Sequence, residues 1–187
     1  ASDGNTALGN TALDSLTAAG GLRNTAVGAD AGTAVTTGSD NVLIGYQAGD
    51  AITTTVGITA VGSGALSAAS GSYSTAVGFN ALILNTAGSN TAVGALSANS
   101  ITSGSGNTAL GASALSSVVT TDYSTAIGTS ALASNTGAAN TAVGALSLDA
   151  NTSGVRNTAL GYQSLSAIVT ANDSTAVGYN ALALDTG

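Results

Sequence analysis

Nine aspartates, two arginines and five tyrosines are the only titratable side chains in a chain of 187 residues that lacks His, Cys, Lys and Glu. General acid–base or nucleophilic chemistry would fall to Asp, Tyr, Ser or Thr, and no suitable base is present to activate a hydroxyl. No enzyme activity is expected from such a set. Asp50, Asn99 and Asp149 occupy equivalent positions three repeats apart. At about 4.8 Å per repeat, neighbours in that column stand about 14 Å apart, too far to share an ion. The G-G-x-G-x-D calcium signature is missing as well, so these residues read as solvated turn positions and no metal is expected. The glycines do not form a phosphate loop, since G-x-x-x-x-G-K does not occur. No cofactor is implied.

Composition narrows the classes further. Charged residues make up 6% of the chain and the net charge is -7, which leaves no cationic surface for nucleic acid or anionic lipid. Apolar residues make up 44%, mostly Ala, with 3% aromatic, so any core has to be thin. Low charge together with many Val, Ile and Leu argues against disorder. No apolar run is long enough to span a membrane as a helix. There is no initiator Met, signal peptide or distinct cap, and the chain, 1–187, reads as one array cut from a longer fibre.

A repeat covers the whole sequence. The unit is Asn/Ser-Thr-Ala-aliphatic-Gly, with its glycine at 9, 28, 45, 62, 78, 94, 111, 128, 144, 161 and 178. An aliphatic residue always precedes the glycine, and a small residue followed by Leu usually comes three and four residues after it, as at Ala81-Leu82 and Ala131-Leu132. A longer period lies on top: Ser replaces Asn at 74, 124 and 174, Tyr73 and Tyr123 share that spacing of 50, and so do Asn85, Asn135 and Asp185. Such a pattern marks duplication of a three-unit block.

Units of 16–17 residues are too short for the common helical repeats, and Thr-Ala-Val is β-branched where a helix prefers Ala, Leu, Glu or Lys. The expected fold is all-β, a parallel β-solenoid of about eleven rungs. Each rung would hold four to five strand residues, a turn permitted by glycine, a second short strand around Ala-Leu and a polar return. The glycines Gly78, Gly94, Gly111, Gly128, Gly144, Gly161 and Gly178 would stack where φ is positive or backbones approach closely.

Alternate strand residues share a face, so Thr and the aliphatic residue point one way and Ala the other. The aliphatic column (Val77, Val93, Leu110, Ile127, Val143, Leu160, Val177) is expected inside the coil. The small column (Ala76, Ala92, Ala109, Ala126, Ala142, Ala159, Ala176) is expected against another chain, because an unbroken apolar stripe on a solitary solenoid would be exposed; the alternative is a crowded inner sheet within one chain. Tyr46, Phe79, Tyr162 and Tyr179 directly follow the motif glycine, with Tyr73 and Tyr123 on the opposite turn. They read either as contacts for a glycan or protein or as plugs over coil corners.

The runs NTAVGALS at 90–97 and 140–147, STAVGFNAL at 74–82 and STAIGTSAL at 124–132 resemble the head repeats of YadA-like trimeric autotransporter adhesins and similar repeats of phage tail fibres. The resemblance implies a left-handed β-roll, three chains around a common axis, and an extracellular place on a cell surface or virion fibre. The unit here is longer than the family's 14 or so residues, and Thr stands where the family has Val. The function expected is that of a structural and adhesive fibre segment: a homotrimer, stacking head to tail, with a host surface glycan or protein as its contact and no nucleic acid or membrane insertion. The alternatives are an ice-binding solenoid using its Thr ladder and a self-stacking filament subunit. Against ice binding, the motif offers one regular Thr per rung rather than a Thr-x-Thr pair.

Overall fold

The computed structural model describes residues 4–17, 20–68, 71–117 and 120–183. Eleven strands of three residues each run in chain order: β1 (Thr6–Leu8), β2 (Thr25–Val27), β3 (Val42–Ile44), β4 (Thr59–Val61), β5 (Thr75–Val77), β6 (Thr91–Val93), β7 (Thr108–Leu110), β8 (Thr125–Ile127), β9 (Thr141–Val143), β10 (Thr158–Leu160) and β11 (Thr175–Val177). They form one parallel sheet in sequential order. Equivalent residues pair throughout, so Thr75, Ala76 and Val77 stand beside Thr91, Ala92 and Val93. Parallel neighbours one repeat apart in sequence, with no helix between them among the described residues, make the fold a β-solenoid.

The strands are shorter than expected, and the Ala-Leu segment is not a second strand. After Gly78 the chain turns back on itself, with Ala81 N–H bonded to Gly78 O at 3.3 Å and Asn85 N–H to Leu82 O at 3.1 Å. Asn80 and Leu82 both take positive φ, 52° and 51°, and the same two positions do so in nearly every rung. Non-glycine residues adopt this region at a cost of about 1–2 kcal/mol. Stacking offsets it: Asn80 N–H bonds Ser63 O in the preceding rung and Leu82 N–H bonds Ser97 O in the next. The alternation lets a coil too tight for a strand still bond in both directions.

Two columns hold the rungs together. One is an asparagine ladder inside the coil. Asn90 Oδ1 accepts the main-chain N–H of Asn107 at 2.9 Å, Asn107 Oδ1 accepts that of Ser124 at 3.0 Å, and Asn107 Nδ2 donates to Thr121 O at 2.7 Å. Asn24, Asn41, Asn140 and Asn157 repeat the arrangement. Where the shorter Ser124 interrupts the ladder, Asn135 fills the gap and accepts from Asn140 Nδ2 at 3.0 Å; Asn85 does the same beside Ser74. The 50-residue period is therefore a paired substitution, Asn to Ser on one corner and a second Asn on the other.

The other column is glycine. Gly128 has φ of 133°, and a Cβ placed there would stand 2.5 Å from the carbonyl carbon of Gly144 in the next rung. A side chain at this position meets backbone, not a yielding side chain. The core between the columns is thin: Ala76, Ala92, Ala126 and Ala142 on the strand side face Leu82, Leu115, Leu132 and Leu148, all fully buried. Leu43 takes the place of Ala in β3, and the residues that would be Leu around it are Gly32 and Gly49, where an added Cβ would approach Leu43 methyls to 2.5 and 2.7 Å. Total volume is conserved across the coil.

Two outcomes are expected. Asn107→Ala orphans Ser124 N–H and Thr121 O, and at about 1–3 kcal/mol for each buried group left unpaired it lowers stability measurably in a urea melt. Gly128→Val breaks the stacking of one rung with the next and destabilises the array, since each repeat leans mainly on its neighbours. A melt of Gly128→Val that matches the parent would contradict the close approach.

Candidate functional site

Alternation along a short strand has only two outcomes, and the asparagine ladder decides between them. Asn107 and Ala109 have the same parity, so an inward Asn puts Ala inside and turns Thr108 and Leu110 outward. This corrects both face assignments made from the pattern. Ala76, Ala92, Ala109, Ala126, Ala142, Ala159 and Ala176 are buried by their own chain and do not wait for a partner. Val77, Val93, Leu110, Ile127, Val143, Leu160 and Val177 lie outside the coil, part-exposed at Val77, Val93, Ile127 and Val143 and exposed at Leu110 (45%), Leu160 (47%) and Val177 (66%). The physical reason is size. Opposite a buried Leu column only Ala fits, whereas Val, Leu and Ile interchange freely on a surface.

The outward face is a ribbon of two columns, Thr and aliphatic, repeated on all eleven strands with only Val42 in place of Thr. Ten steps of about 4.8 Å and a width of three residues at about 3.3 Å give a strip about 48 Å by 10 Å. It carries no charged side chain. The charges cluster on corners instead. Arg23 Nε and Nη2 bind Asp40 at 2.6 and 2.8 Å, and Arg156 binds Asp173 with the same two distances. The hydrogen bond from each guanidinium holds its aspartate below the usual carboxylate range and raises its own pKa. Both pairs face solvent, where such bridges add little.

Aspartates expected to be solvated are less so. Asp50 and Asp149 are half-buried, and in each of them and in Asn99 Oδ1 is buried without a hydrogen-bond partner. Desolvation pushes both carboxyls up, against the opposing pull of backbone N–H groups. Among the described residues no three acidic side chains gather to hold a metal ion.

The aromatic residues sit on two edges. Tyr46, Phe79, Tyr162 and Tyr179 project from the corner after the motif glycine, all exposed, and the rings of Tyr162 and Tyr179 stack at 5.6 Å and 12°. Tyr73 and Tyr123 cover corners: a Cβ on Gly57 would meet Tyr73 Cδ1 at 2.9 Å, and one on Gly106 would meet Tyr123 Cδ1 at 2.8 Å. Both edges stand open to solvent, Tyr73 and Tyr123 being 70% and 73% exposed. Among the described residues no helix is long and apolar enough to cross a membrane. Compared with family models, curated proteins and solved structures, the chain matches none.

Two signals in the sequence carried the correct facing. The nearly invariant size of the Ala column marked it as packed, and the exchange of Leu43 for Ala beside Gly32 and Gly49 located its opposite wall. For the partly buried aspartates a pH dependence follows. Their folded pKa lies above the unfolded value, so the protonated form is favoured by folding, and stability is lost as pH rises from the ordinary carboxylate range through the raised one. Asp50→Asn combined with Asp149→Asn, the amide already found at Asn99, should raise the melting temperature at pH 7 and have no effect near pH 3. An equal effect at both pH values would rule out desolvation as the cause.

Proposed function

We propose that the chain is a structural segment of an extracellular fibre, on a cell surface or a virion, that extends by stacking rungs and self-associates through its outward Thr–aliphatic ribbon. The observation that carries this reading is the ribbon itself. On every strand the aliphatic residue of this uncharged strip is part-exposed or exposed, and a continuous row of such side chains marks an association surface. In register along its whole length, it suits association of copies side by side, and three chains meeting at a common axis would cover every ribbon at once. The small Thr and Val side chains let sheets approach closely, and the negative charges stay on corners away from the axis.

The ice-binding alternative is favoured by one observation: the Thr column lies outward on the sheet, not in a core. The two readings make competing demands on the same surface, for an assembled trimer hides the Thr methyls that would order water.

Light scattering and freezing measurements separate them. The parent should run at three times the chain mass, and Val93→Asp with Val143→Asp should give a folded monomer, because the introduced charges are tolerated in water and not between sheets. Ala109→Asp with Ala126→Asp should fail to fold, since those sites are inside the coil. A monomeric parent that shows thermal hysteresis, lost on Thr91→Tyr and Thr141→Tyr, would establish ice binding instead.

A further inference from the structure

Tyr162 and Tyr179, one rung apart on the corner after the motif glycine, stack with their rings nearly parallel. The same column holds Tyr46, Ser63 and Phe79 on three successive rungs. Gly64 N–H bonds Tyr46 O at 2.9 Å, and Asn80 N–H bonds Ser63 O at 3.0 Å, which keeps the three corners in register. Tyr46 and Phe79 are 53% and 56% exposed. The rung between them carries the short Ser63, followed by Gly64 with the Asn80 side chain resting over it, so the two aromatic residues flank a low polar floor.

Two rung steps of about 4.8 Å put the rings about 9.6 Å apart. A six-membered ring seated midway would lie about 4.8 Å from each wall, within the ~4.5–7 Å range of ring stacking. At the other end of the array Tyr162 and Tyr179 stand on adjacent rungs and stack directly, leaving no such gap. Gln47 and Asn80 flank the notch, and with Ser63 they offer amide and hydroxyl groups that make no side-chain hydrogen bond within the described residues. Both arginines are committed to aspartates on another corner, so no cation is at hand for an anionic ring.

We propose that the notch between Tyr46 and Phe79, floored by Ser63, binds a neutral pyranose: the sugar's apolar C–H faces lie against the two rings and its hydroxyls bond Ser63, Gln47 and Asn80. The site belongs to a single chain and goes beyond the fibre reading, to which it adds a means of surface contact.

Saturation-transfer NMR on the full chain tests it, with methyl β-glucoside, methyl β-galactoside, methyl α-mannoside and N-acetylglucosamine as probes and N-acetylneuraminate as the acidic comparison. At least one neutral probe should receive transfer. Tyr46→Ala and Phe79→Ala should each weaken its binding by about tenfold, the loss of one stacking wall. Ser63→Tyr should abolish binding by filling the notch, with the β-sheet circular dichroism unchanged, while Tyr179→Ala should leave binding intact. The proposal is overturned by absence of transfer to all four neutral probes, by binding that survives Ser63→Tyr, or by a preference for N-acetylneuraminate. Failure of the fibre reading would appear in the parent's mass and leave these spectra unaffected.

Discussion

An amide side chain that accepts a main-chain N–H of the rung above and donates to a carbonyl three residues earlier in that same rung is the interaction on which the rest of this structure depends. Asn24, Asn41, Asn90, Asn107, Asn140 and Asn157 are buried, and each satisfies backbone groups that a narrow coil cannot pair by itself. Buried polar groups have to be paired. Once Asn is committed inward, the parity of the strand follows: Ala goes in, and Thr and the aliphatic residue go out. The glycine column then sets how closely rungs stack, because backbone meets backbone there.

Size matching does the remaining work in the interior. With walls of Ala and Leu, the coil has little volume to redistribute, and each departure is answered nearby. Leu43 faces Gly32 and Gly49. Ser74 and Ser124 are accompanied by Asn85 and Asn135, whose amides take up the bonds a serine hydroxyl cannot reach. Such local answers are what a one-dimensional architecture permits, since a change in one rung is felt chiefly by the two beside it.

The surfaces divide by chemistry. The strand face is uncharged, regular and indifferent to which aliphatic residue it carries. The corners hold everything irregular: two Arg–Asp pairs, the half-buried aspartates, the tyrosines that cover glycines and the open notch between Tyr46 and Phe79. Irregularity on the corners costs the fold little because side chains there project away from both ladders. That freedom allows one position, the residue after the motif glycine, to be Ala in one rung, Tyr in another and Ser between two aromatic rings.

Much of the fold was legible in the residues alone. The spacing of the motif glycines, the β-branched composition and the absence of helix-forming patterns determined a parallel solenoid with a strand at each Thr-Ala-aliphatic triplet, because period and residue type are local properties. Which face of each strand points inward was decided only by tertiary structure. Thr-Ala-Val has the same alternation whichever way it is turned, and burying Val over Ala is the better choice when a strand is considered by itself. The coil reverses that choice because its interior is too narrow for two walls of large side chains and because Asn must reach the backbone of the next rung. The Ala-Leu segment became a turn rather than a strand for a similar reason. Residues such as Leu82 and Leu132 accept positive φ only because stacked rungs supply hydrogen bonds in both directions, and no stretch of sequence shows a bond between residues a full repeat apart.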